Sequence, residues 1–178
     1  LVTGVQTCAL PILQLLFDMS ATLNREYHAL ADAGASIVQV EEPAIHQIIN
    51  DPNATIKPEK WVEAFNREVK GLRGKCEVWC HTCWGSPAAQ RVASRDQSYV
   101  KALPYFDQLD VDVITFEGAF NRGMDFEAIG KGISKDKKIA IGVISHRTLQ
   151  VERPEEVAEL IRLALKHIEP ERLMLSSD

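Results

Sequence analysis

His81 and Cys83 stand two residues apart at the end of a strand-like run, residues 76–81. Side chains alternate faces along a strand, so this spacing lets both point toward one ion. Glu117 ends the next strand-like run, Val113-Ile114-Thr115-Phe116. Imidazole, thiolate and carboxylate are zinc ligands, and three protein ligands with one open position is the catalytic arrangement. Each residue has a plainer reading. Cys83 can be a small buried hydrophobe. His81 can be a strand-end histidine bonded to backbone, and the two readings weigh evenly. Glu117 can be a solvated loop residue beside Gly118, but a carboxylate straight after an apolar run is costly to bury unless paired or metal-bound.

Cys80 and Cys83 also form a C-x-x-C. A redox pair wants its first cysteine at a helix N-terminus, whereas Cys80 lies inside a strand on the face opposite His81. Cys76 and Cys80 therefore read as buried packing thiols. Glu41 and Glu42 end an earlier strand run and alternate faces. One can look into a site as a clamp for a substrate ammonium while the other caps or pairs. His146-Arg147 follows a later strand and suits acid/base or anion work, with loop solvation the slightly favoured alternative. His28 and His167 are expected on helix surfaces. His46, on a short helix after the acidic pair, is not assigned a role.

The elements that must position these residues alternate. Apolar spacing predicts helices over 13–33, 58–72, 96–109, 125–133 and 154–168, with Pro104 kinking or ending the third. Strands are predicted over 36–40, 76–81, 111–116, 138–144 and 173–176. Strict alternation implies a parallel sheet with helical crossovers. A doubly wound sheet would want a glycine-rich turn after its first strand, and none is present. A (β/α)8 barrel carries its chemistry on strand C-termini, where Glu41, His81, Glu117 and His146 all fall. The expected fold is thus α/β, a partial (β/α)8 barrel of about the last five strands, with both ends of the chain looking cut and two sheet edges left open.

At 178 residues the chain is long enough for one domain with a core. A hydrophobic content of 46% with 25% charged residues suits a soluble globular protein. The net charge of -5, without a basic run, argues against nucleic-acid binding. No apolar stretch reaches membrane-spanning length. Four cysteines at uneven spacing, without a secretion signal, read as reduced thiols of a cytoplasmic protein. Residues 1–12 resemble a translated DNA-sequencing adapter, so they are expected to be non-native and outside the fold, which residues 13–178 would carry.

From about residue 18 onward the chain resembles the catalytic C-terminal domain of cobalamin-independent methionine synthase and its short bacterial and archaeal relatives. The residues that carry the resemblance are Val38-Gln39-Val40-Glu41-Glu42-Pro43-Ala44, His81-Thr82-Cys83, the stretch 109–117, Ile141-Gly142-Val143 and the stretch 172–178. The resemblance implies a zinc-dependent thiol methyltransferase on a (β/α)8 barrel. It implies that His81, Cys83 and Glu117 bind zinc, and that Glu41, where the family usually has Asp, helps hold the amino group of homocysteine beside Glu42. A second zinc cysteine follows the aspartate that Asp178 matches. The family's proton-donating histidine matches His146 across a one-residue gap.

The implied chemistry is activation of a thiol. Free thiols titrate near about 8.5 and only the thiolate is nucleophilic, and zinc removes that proton. Homocysteine would accept a methyl group from 5-methyltetrahydrofolate or a related donor, giving methionine. The chain on its own is expected to be inactive. A zinc alkyltransferase acting on another thiol such as coenzyme M, and a metal-free lyase of the uroporphyrinogen-decarboxylase type, are the alternatives.

Overall fold

A computed structural model describes residues 5–42, 45–49, 51, 53–84 and 97–178, with side chains from residue 11 onward. Helix α1 (Val5–Asp32) leads into strand β1 (Ile37–Glu41), the short helix α2 (Ile45–Ile48) and helix α3 (Pro58–Glu68). Strand β2 (Glu77–His81), helix α4 (Leu103–Phe106) and strand β3 (Val113–Phe116) follow. Helix α5 (Phe126–Gly132), strand β4 (Lys138–Ile144), helix α6 (Pro154–Ala164) and strand β5 (Leu173–Ser177) complete the order.

All five strands pair in parallel in the order β1-β2-β3-β4-β5. A doubly wound sheet reverses its order at a switch point. Here each strand lies beside its predecessor without reversal, as in a barrel wall. Register puts Glu41 opposite His81 and His81 opposite Thr115, so the C-terminal ends of β1, β2 and β3 share one rim.

The strand faces follow from composition. In β1, Val38 and Val40 are buried while Ile37, Gln39 and Glu41 are exposed. In β2, Val78 and Cys80 are buried, and Glu77, Trp79 and His81 are half-buried. The buried set packs with Val62, Phe65, Val69 and Leu72 from the α3 segment. Strand β3 is buried along its whole length and β4 from Ile139 to Val143. Central strands of a parallel sheet are covered on both faces and lose polar alternation.

Helix α1 starts earlier than the apolar spacing predicts and contains Pro11. Its anchors to α3 and the turn after it lie further along: Arg67 sits 3.8 Å from the Phe17 ring centre, Ser20 Oγ donates to Glu68 (3.2 Å), and Asn24 Nδ2 donates to the carbonyls of Glu68 and Lys70 (2.8 and 3.0 Å). His28, expected on the surface, is half-buried with Nε2 2.9 Å from the Lys70 carbonyl. The helix predicted over 96–109 shrinks to α4, and its start at Asp96 lies outside the described residues, as do Gly85, Ser86 and Pro87. Pro104 opens α4 instead of ending a longer helix. In a first turn its missing N–H has no intrahelical partner to lose. Among the described residues no helix is long and apolar enough to cross a membrane.

Candidate active site

The rim of the sheet gathers most of the singled-out residues. Glu41 and Glu42 separate as strand alternation requires. Glu41 is exposed, whereas Glu42 is buried and its carboxylate accepts the backbone N–H of Ile45 at 2.9 Å, capping α2. His81 ends the neighbouring strand. Its Nδ1 lies 3.2 Å from the Thr115 hydroxyl, which also accepts the Thr82 N–H at 3.2 Å. That contact orients the ring so that Nε2 faces the Glu41 carboxylate at 3.7 Å. Thr115 is the one polar side chain of an otherwise apolar buried strand, a signal the sequence offered and the apolar-run reading passed over.

Glu117 is 3% exposed. Its Oε1 accepts the Trp84 backbone N–H at 2.7 Å, and its Oε2 pairs with Arg147 Nη2. The Arg147 side chain is also buried; Nη1 donates to Gln97 at 2.8 Å, and the guanidinium stacks 4.0 Å from the Phe120 ring centre. His146 is exposed on the loop after β4, so of that adjacent pair it is Arg147 that turns inward. Beyond Glu117, the amides of Gly118, Ala119 and Phe120 all donate to the Asp178 carboxylate at 2.7, 3.0 and 2.9 Å. Asp178 thereby ties the loop that follows Glu117 to the end of β5.

Cys83 is half-buried, Cys76 is half-buried instead of buried as expected, and Cys80 is fully buried. Burial pushes the Cys80 thiol well above its usual range, and Glu42 and Glu41 add to this. His46, left without a role by the sequence, is 1% exposed inside an aromatic cluster of Trp84, Tyr99 and Phe106. Its Nε2 donates to the Cys83 carbonyl at 2.6 Å, which holds the backbone of the His-x-Cys segment. Burial lowers His46 to about 4, with the nearby His81 adding to the effect and the Cys83 carbonyl opposing it. Tyr99 is raised well above its ordinary value, chiefly by burial and then by Glu117.

His46 makes the fold acid-sensitive. Its folded value lies below the ordinary 6.5, so the unfolded chain binds the extra proton first. The stability it protects is present above about pH 6.5 and is lost as pH falls toward 4. The loss is on the order of 3 kcal/mol. Urea denaturation across that window is expected to show a shallower acid slope for His46→Gln than for the parent chain. Equal slopes would mean that His46 is solvated in solution.

Strand-end histidine, cysteine and glutamate supply the donor types of a zinc site. Yet among the described residues no three His, Cys, Asp or Glu side chains stand close enough to share an ion. Glu117 spends its carboxylate on Trp84 and Arg147, so as they stand the residues do not fit the metal.

Residues 10–178 match the family described as cobalamin-independent synthase, catalytic domain. The chain belongs to this family. It is 33% identical over 165 residues to a methionine synthase of Sulfurisphaera tokodaii and 34% identical over 165 residues to one of Saccharolobus solfataricus. Each alignment covers 92% of this chain, and 42% and 43% of the relatives. The chain thus spans less than half the length of the curated relatives it matches. A B12-independent methionine synthase from Shewanella, solved in complex with selenomethionine, superposes with a TM-score of 0.69 at 25% identity, covering 93% of this chain and 47% of that one. Family membership and the consecutive parallel strands together make this sheet part of a (β/α)8 barrel.

Proposed function

We propose that residues 13–178 form part of the catalytic barrel of an enzyme that transfers a methyl group to a thiol, homocysteine, giving methionine. The donor would be of the 5-methyltetrahydrofolate type, the ion zinc, and the setting the cytoplasm, where thiols stay reduced. The observation that carries the reading is Glu41 opposite His81 at the ends of adjacent strands, with Cys83 and Glu117 following the ends of β2 and β3, in a chain of this family. Zinc is the ion this donor set suits, and accepting it requires Glu117 to give up Arg147.

Glu41 is the group for the ammonium of an amino-acid thiol. It is a solvent-facing carboxylate on the rim, beside His81, and a carboxylate makes a charge-assisted bond to an ammonium. Glu42 is taken up in capping α2 and would act by fixing the start of that helix next to Glu41. His146, exposed beside the rim, is the candidate to protonate the donor's leaving group. Because the chain on its own is expected to be inactive, steady-state kinetics of the chain completed to the length of its methionine synthase relatives test the assignment. Glu41→Gln is expected to raise the KM for homocysteine about tenfold with a much smaller change in kcat. A thiol without an amino group, such as coenzyme M, should be indifferent to the change. Unaltered homocysteine kinetics would remove the amino-acid substrate and bring the alternative thiol forward.

A further inference from the structure

We propose that Arg147 is a resident counter-cation of Glu117, and that its ion pair and metal binding at the His81–Cys83 rim are mutually exclusive. The inference rests on the metal-binding part of the reading above.

Two nearly buried side chains meet here: the Glu117 side chain is 2% exposed and that of Arg147 6%. A buried carboxylate needs a compensating charge, and either a guanidinium or a metal ion can supply it. Both together would set positive charges against one another where solvent screens them poorly. With Glu117 so paired, no three His, Cys, Asp or Glu side chains among the described residues stand close enough to share an ion. Trp84 N–H holds the other carboxylate oxygen, so the group stays anchored while its counter-charge changes.

The guanidinium is held through Nη1, Nη2 and the Phe120 ring but is not fully satisfied there. Arg147 Nε is buried without a hydrogen-bond partner, an unusual shortfall for a buried polar atom. Arg147 borders a cavity of about 610 Å³ that is also lined by Phe120, Ser145, Thr148 and Glu152. That cavity gives the side chain room to leave, and Glu152 on its wall, one oxygen of which accepts the Ser145 N–H at 2.8 Å, would be the acidic group nearest to hand in its lining beside Glu156 and Glu159. Arg147 is therefore a positioning residue that governs loading of the site.

The test uses the full 178-residue chain, stripped of metal and titrated with Zn2+ against a chromogenic chelator. Co2+ serves as a second probe, its thiolate charge-transfer band reporting Cys83. Arg147→Met is expected to bind Zn2+ about 10- to 100-fold more tightly than the parent. Arg147→Lys, which keeps the charge, should stay near the parent. Glu117→Gln should weaken binding and abolish the gain when combined with Arg147→Met. Equal Zn2+ affinity for Arg147→Met and the parent, with the cobalt–thiolate band present, overturns the exclusion while leaving the metal site standing. No Zn2+ uptake and no cobalt–thiolate band in any variant removes both the metal site and this proposal. If Arg147→Met does not fold, a crystal structure of the parent chain with Zn2+ decides. Glu117 on the ion with Arg147 released supports the proposal; a bound ion beside an intact Arg147–Glu117 pair overturns it.

Discussion

Glu117→Ala is expected to destabilise the metal-free chain by about 3–5 kcal/mol, the usual cost of removing one partner from a buried ion pair. The variant leaves the Arg147 guanidinium buried with only Gln97 and the Phe120 ring for company. It also strips the Trp84 N–H of its acceptor. Such a loss is a large share of the roughly 5–15 kcal/mol that holds a domain together. Glu117→Gln should cost less than Glu117→Ala, because the amide oxygen can still accept from Trp84, although its NH2 then faces the Arg147 donors in place of an acceptor. Urea denaturation of both variants without metal provides the comparison. A cost under about 1 kcal/mol for Glu117→Ala would place the pair in the class of solvated surface bridges and remove the basis for a charge-compensated rim.

Gly142→Ala is expected to cost at least about 3 kcal/mol, at the upper end for overpacking. A methyl group there would meet Asp178 Oδ1 at 2.2 Å, and also the Asp178 backbone N and Cα at 2.7 and 2.8 Å. The carboxylate could swing aside, but only by releasing the amides of Gly118, Ala119 and Phe120. The backbone atoms cannot, because the Asp178 N–H donates to the Ile144 carbonyl at 2.8 Å. Adding Asp178→Gly should therefore rescue little. Hydrogen exchange is the sharper readout: the amides of residues 118–120 should lose protection in Gly142→Ala more than those at the centre of β3. Protection unchanged at 118–120 would show that the end of β5 gives way without disturbing the loop after Glu117.

The framework of this chain was legible because it rests on short-range rules. Period-two alternation in β1 and β2 sorted Val38, Val40, Val78 and Cys80 from Glu41 and His81. The predicted boundaries of β4 (Lys138–Ile144) are those observed, since a short apolar run bounded by charged residues before it and a turn after it marks a buried strand. Alternating strands and helices implied the parallel order that β1 to β5 adopt. Where local rules misjudged an element, a competing local rule explains it: Pro104 is as good an opener of α4 as it is a breaker of a longer helix.

The candidate site divides along the same line. Sequence by itself determined which residues reach the rim, because strand ends and alternation place Glu41, His81 and Glu117 there whatever the side chains then do. It also separated Glu41 from Glu42 before either had a partner. Only the tertiary structure decided the pairings. Glu117 meets Arg147 across 30 residues of sequence, Cys83 is held by His46 across 37, and Asp178 reaches Gly118 across 60. Nothing in local spacing distinguishes His146 from Arg147. Burial does, because a carboxylate enclosed in the sheet draws in whichever neighbouring group can offer a permanent charge, and a guanidinium keeps its proton where an imidazole would surrender it.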